Sequence, residues 1–156
     1  MTQANQQWLN TLTGHNVRIK THGDATSDQL CIIEYVEGPH TMPPVFTRHA
    51  FIEAFHVLDG ALIFQFLDEE PFEVAAGSTV TCPPWKPHSF WNQTDEPVRA
   101  LLICTPAGLE RFFEESSALI AQMPPAQTPP DIMQTAMKAL RDKYGLEHVG
   151  APPALK

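Results

Sequence analysis

The chain has 156 residues, 43% apolar and 18% charged, which suits a single folded domain with a buried core and excludes a disordered chain. Ten Lys and Arg against 18 Asp and Glu give a formal net charge of −8, which argues against a nucleic-acid footprint or a basic membrane-surface patch. The cysteines Cys31, Cys82 and Cys104 form no CxxC pair, so they read as small buried residues rather than zinc ligands or a disulfide framework. No signal-peptide pattern opens the sequence, and the longest apolar run, 61–67, is too short to span a bilayer. The expectation is a cytoplasmic protein with neither membrane nor nucleic-acid partners.

In chain order, apolar segments at 17–20, 30–36, 51–58, 61–67, 72–74, 78–82, 88–92 and 98–104 predict strands. They recur at intervals of about 8–12 residues, the spacing of an all-β sandwich or barrel. Asp59-Gly60, between two apolar runs, predicts a type I′ hairpin. Polar turns are expected at 68–71 and 94–97, and Pro83-Pro84 ends the strand before it, since proline cannot donate to a central ladder. Beyond 107 the pattern changes. Leu109, Phe112, Phe113, Leu119 and Ile120 predict an amphipathic helix over 108–122. A proline-rich connector over 123–130 leads to a second helix, capped by Thr128 or Asp131 and ending before Gly145. Its Ile132, Met133, Met137 and Leu140 are expected to dock on the β body. The whole reads as one domain, 1–156, with a barrel core at about 17–106, a helical extension at about 107–146 and a tail at 147–156.

Two segments concentrate chemistry. The first, from Pro43 to Gly60, holds Phe46, Arg48, His49, Glu53 and His56; the second, from Gly77 to Asn92, holds Pro83, Trp85 and His88. They resemble the two signature motifs of the cupin superfamily, G-x5-H-x-H-x3,4-E-x6-G and G-x5-P-x-G-x2-H-x3-N. Within it, the chain resembles single-domain bacterial cupins similar to quercetin dioxygenase. Glu53 and Gly60 fit the end of the first motif, while Gly77, Pro83, His88 and Asn92 fit the second, with Trp85 where the family usually has glycine. The resemblance implies an all-β cupin barrel (a double-stranded β-helix or jelly roll) with C-terminal helices, a homodimer, and a divalent metal held by the H-x-H pair, the glutamate and the second-motif histidine.

Counted back from Glu53, the two H-x-H positions fall on Phe46 and Arg48, so only Glu53 and His88 of that metal set remain and no cofactor is expected. A permanently charged guanidinium would occupy the place of the cation. Arg48 is expected to reach Glu53 as a bidentate ion pair, either filling a lost site or anchoring an anionic or enolate oxygen while Glu53 and His88 exchange protons with substrate. The alternative is a rearranged divalent transition-metal site of His49, Glu53 and His88, with a bulge returning His49 to the interior and His40 joining from the preceding loop. Strand parity groups Phe46, Phe55 and Phe90 with the catalytic set as a substrate pocket, and Asn92 is counted with them. Trp85 and Trp91 are placed at the rim or the dimer contact. His56 faces away from Glu53, and His15, His22 and His148 read as surface residues.

The function expected from these residues is a metal-independent cupin enzyme. It performs isomerisation, cyclisation, dehydration or decarboxylation on a small aromatic or polyketide-like molecule. The alternatives are a metal-dependent oxygenase similar to quercetin dioxygenase and a non-catalytic small-molecule binder; a fold alone does not choose among them.

Overall fold

The computed structural model describes residues 7–12 and 14–155. The alternating segments form eleven strands among those residues: β1 (Leu9–Asn10), β2 (Asn16–Thr21), β3 (Cys31–Glu37), β4 (Phe46–Arg48), β5 (Ile52–Asp59), β6 (Ala61–Phe66), β7 (Phe72–Ala75), β8 (Thr79–Cys82), β9 (His88–Trp91), β10 (Val98–Thr105) and β11 (Glu147–Val149). Two helices, α1 (Leu109–Gln122) and α2 (Pro130–Lys143), lie between β10 and β11. One antiparallel sheet has the order β1-β2-β3-β10-β5-β8 and the other β11-β4-β9-β6-β7. This is the expected barrel with C-terminal helices.

Side-chain alternation explains the layering. Along β5, Glu53, Phe55 and Val57 are buried while His56 on the other face hydrogen-bonds Thr79 Oγ1 at 2.8 Å, so His56 does face away from Glu53. Ile33, Phe55, Leu62, Phe64 and Leu102 are almost completely enclosed in one cluster. Burying each such side chain is worth roughly 1.5–3 kcal/mol, enough to fix which face of every strand turns inward. Cys31, Cys82 and Cys104 are free and buried as expected. Burial raises the Cys82 thiol, and a hydrogen bond with the Cys31 thiol together with burial raises that of Cys104, which suits packing and not nucleophilic attack.

The structure corrects several expectations. Asp59-Gly60 is not a hairpin turn, because β5 and β6 belong to different sheets. Gly60, at φ 80°, is instead the corner where the chain crosses between them; a Cβ there would meet Val98 Cγ2 at 3.0 Å. β1, β4 and β11 were not among the predicted strands. Each is only two or three residues long, and the last lies in the expected tail. β11 pairs along its whole length with β4. On α2, Met133 and Met137 are buried as expected, while Ile132 is exposed. No helix among the described residues is long and apolar enough to cross a membrane.

The helices decide what happens at the barrel mouth. Leu109, Phe112, Phe113 and Ser116 of α1, with Met137 and Arg141 of α2, roof a cavity of about 670 Å3. Its floor and walls are strand side chains, and residues 41–45 and Thr11, Leu12 and His15 complete its rim.

Candidate metal centre in the roofed cavity

His49, Glu53 and His88 meet inside this cavity, all three buried. Glu53 points inward from the start of β5 and His88 from the start of β9. His49 arrives differently. β4 ends at Arg48, and residues 49–51 form a bend that carries the chain from one sheet to the other. The bend is closed by the His49 ring itself. Its Nδ1 bonds the Phe51 carbonyl at 3.0 Å, its face stacks on Phe51 with centroids 3.7 Å apart, and its carbonyl accepts from Trp85 N at 2.7 Å.

This bend overturns the expected placement of Arg48 and Phe46. Parity does not run unbroken from β4 into β5. Val45, Thr47 and His49 face the cavity, while Phe46 and Arg48 take the other side of β4. Arg48 never reaches Glu53. It is half-exposed and pairs with Glu147 of β11, Nε donating at 2.8 Å and the terminal nitrogen at 2.7 Å. Phe46 is buried but does not line the cavity. The first cupin motif allows three or four residues before its glutamate. The three-residue spacing puts its two histidine positions on Thr47 and His49, so one histidine is kept and only its partner is replaced. The in-strand bulge expected as a route for His49 is replaced by a corner between sheets.

Of the remaining expected residues, Phe90 lines the cavity. Phe55 lies beneath it in the core, 4.6 Å from the Phe90 ring, and contributes packing rather than cavity surface. Asn92 is fully buried away from the cavity, where its amide nitrogen donates to Gly38 O and Glu96 O and its amide oxygen accepts from Thr94 N and Oγ1. It ties loops together and contacts no substrate space. His40 pairs with Asp95 at the surface, 2.7 Å away. His15 and His148, expected at the surface, both line the cavity.

The polarity of the triad is informative. A carbonyl oxygen only accepts, so the Nδ1 atoms of His49, on Phe51 O, and of His88, on Lys86 O at 2.9 Å, both carry hydrogen. Both Nε2 atoms therefore turn to Glu53 Oε2, at 3.0 and 3.3 Å. Burial pushes the Glu53 carboxyl up, but the two facing imidazoles, when they carry a proton at Nε2, outweigh it and bring it down to about 2. Burial opposes the charged form of His88, yet the Glu53 carboxylate and the Lys86 carbonyl leave it above its ordinary value. Two imidazolium rings with centroids 5.0 Å apart would exceed the charge of one carboxylate. A divalent cation would satisfy all three groups at once. Donor atoms about 2.0–2.2 Å from such an ion lie roughly 3–4 Å apart, and these all lie within 4.8 Å of one another. Nδ1–H bonds to backbone carbonyls are the usual way in which ligating histidines are oriented. Two imidazoles and one carboxylate suit iron, manganese, nickel, copper or zinc.

A second polar group occupies the same cavity. Tyr35 and Glu37 sit two apart on the inward face of β3, where the Tyr35 hydroxyl donates to Glu37 Oε2. His15 Nδ1 is 3.8 Å from the same oxygen, its ring packs on Tyr35, and burial lowers it to about 4. Burial raises the Glu37 carboxyl despite hydrogen bonds from Tyr35 and Thr41. The alternation of Cys31, Ile33, Tyr35 and Glu37 in the sequence is the signal that marks these two as inward-facing.

This barrel is a cupin fold. Residues 33–104 match the cupin domain family. The polyketide cyclase RemF from Streptomyces resistomycificus is similar in structure, with TM-score 0.58 and 17% identity over 80% of this chain and 92% of that one. A cupin-like protein from Thermotoga maritima gives 0.55 and 15% over 67% and 77%, and a sugar phosphate isomerase of the cupin superfamily from Silicibacter pomeroyi gives 0.51 and 24% over 59% of each chain. No curated protein sequence matches the chain significantly.

Proposed function

We propose that the protein is a cupin enzyme that holds one divalent transition metal through His49, Glu53 and His88 and acts on a small, largely apolar molecule in the roofed cavity. The observation that carries this reading is the direction of the two imidazoles, whose Nδ1–H groups are committed to carbonyls so that both Nε2 atoms converge on Glu53 Oε2. Geometry therefore supports the metal-holding alternative better than the metal-free arrangement built on Arg48.

When bound, the cation supplies Lewis-acid polarisation of a substrate oxygen. The chain's own residues do the rest. Phe90, Phe112 and Phe113 bury the apolar body of the substrate and exclude water. Glu37, whose raised carboxyl is held by the Tyr35 hydroxyl, is placed to take or return a proton at carbon or oxygen. Such a pairing suits isomerisation, cyclisation, dehydration or decarboxylation. Similarity to a polyketide cyclase supports this class, and a quercetin dioxygenase-like oxidation is the second use of the same triad.

Elemental mass spectrometry on untagged protein purified without chelator tests the site. About one transition metal per chain is expected, falling by at least about tenfold in Glu53→Gln and in His88→Ala. A wild-type protein that stays metal-free after dialysis against zinc, manganese, iron and nickel would overturn the reading.

A further inference from the structure

Nine Lys and Arg residues lie among the described residues, and eight have a carboxylate oxygen within 4.0 Å. Arg141 is the exception, in a chain of formal charge −8. Its neighbour Asp142 is taken by Lys138 at 2.6 Å, and the other cation of the last turn of α2, Lys143, by Glu115 at 2.7 Å. Arg141 also continues the buried stripe of α2. Met133, Met137 and Arg141 follow at steps of four, so they share one helix face. That face covers the cavity, of which Arg141 is the sole Lys or Arg lining residue among the described residues. A favourable interaction with the helix C-terminus would not require it to lie on that stripe.

Its position relative to the triad follows from the sheet. Arg141 acts electrostatically on His148 of β11. His148 lies opposite Thr47 of β4, and Thr47 opposite His88 of β9. All three line the cavity, in a row across two strand spacings, or roughly 10 Å. One cavity thus has a convergent metal-binding group towards one end and an unpaired guanidinium towards the other, with apolar side chains between.

We propose that Arg141 is the specificity residue of this cavity and anchors a carboxylate at one end of an elongated, otherwise apolar substrate whose other end reaches His49, Glu53 and His88. This deepens the reading of the cavity as a substrate site and rests on it. The planar guanidinium fork matches a carboxylate in shape, and one unpaired positive charge balances one monoanion, whereas a phosphate dianion would leave charge unbalanced in an apolar enclosure.

The test compares 4-phenylbutanoate with its neutral amide, 4-phenylbutanamide, by titration calorimetry. Each is measured on the protein as purified and after chelation, and on Arg141→Gln, Arg141→Lys and the double variant Glu53→Gln/His88→Ala, with folding checked by thermal melting. Wild-type protein is expected to bind the carboxylate about tenfold or more tighter than the amide. Arg141→Gln should erase the difference without weakening the amide, Arg141→Lys should keep part of it, and the double variant should keep all of it. A wild type that binds neither compound or does not distinguish them overturns the proposal, as does an Arg141→Gln variant that still prefers the carboxylate. An Arg141-dependent preference in a protein that never takes up metal leaves this proposal standing and removes the metal reading alone.

Discussion

Glu110 and Glu53 are buried carboxylates in one small protein, at 0% and 5% exposure, and their partners differ in kind. Glu110, in the first turn of α1, accepts from Gly23 N at 3.1 Å and Gly108 N at 2.7 Å. Burial raises its carboxyl, but the Cys31 thiol and these backbone amides bring it below its ordinary value. A Cβ at position 23 would sit 2.8 Å from Glu110 Oε1, so the close approach needs glycine there. Every partner of Glu110 is a donor by nature, and the group is complete within the protein. Glu53 instead faces two Nε2 atoms that donate to it only when their rings are protonated, since the Nδ1 hydrogens are used elsewhere. Burial marks neither residue as functional. What separates them is whether the partners can satisfy the charge unaided.

Substitutions that exchange the two behaviours would break this comparison. The largest stability loss is expected for Glu110→Ala, about 3 kcal/mol or more, because it strips acceptors from two backbone amides while leaving metal content intact. Chemical denaturation with elemental analysis of the same sample checks both halves. Glu53→Gln should do the converse: metal affinity falls roughly 100-fold, while the stability loss in chelator stays smaller than that of Glu110→Ala, because the Gln amide can donate to one of the two Nε2 atoms. A large stability loss in chelator would make Glu53 a structural residue like Glu110.

The register of β4 offers the next test. Thr47→His should raise zinc affinity by about tenfold or more by supplying a further imidazole on the cavity face, whereas Phe46→His with Arg48→His should not. Competition with a chromogenic chelator reads this directly, and the opposite ranking would show that Phe46 and Arg48 face the cavity. The pH dependence of stability separates the carboxylates more finely. A carboxyl held low in the fold contributes stability that is fully present above its unfolded value of 4.5 and lost as pH falls through the lower folded value. The gap in melting temperature between wild type and Glu110→Gln should therefore narrow on going from about pH 6 to about pH 3.5. A constant gap would mean that the charge on Glu110 does not matter. The smallest effect is expected for Arg48→Ala, within about 0.5 kcal/mol and with no change in metal content, since its partner Glu147 is half-exposed.

The barrel was legible because period-two alternation and turn residues report inward faces strand by strand, and eight of the strands are long enough to carry that pattern. Glu53 and His88 were legible because their spacing to Gly60 and to Gly77, Pro83 and Asn92 resembles the two cupin motifs. The exchange of Arg48 for His49 shows where the reading stops. A three- or four-residue spacing before Glu53 fits equally well in one dimension, and the choice turns on a three-residue bend between sheets that leaves no periodic trace. His15, Arg141 and His148 were hidden for another reason. His15 lies in the loop between β1 and β2, His148 on the short β11 and Arg141 on the amphipathic α2, and each reaches the cavity only because distant segments fold over the barrel.

The roof contributed by α1, α2 and β11 lies outside residues 33–104, whereas all three members of the triad lie within them. The convergent triad and the roof above it are thus encoded in separate stretches of the chain, joined physically where β11 adds itself to the edge of β4. Substitutions in the last third can reshape the roof of the cavity while leaving His49, Glu53 and His88 untouched. If the cavity binds substrate as proposed, exchanging this C-terminal portion between barrels is a route to new ligand preferences above an unchanged triad.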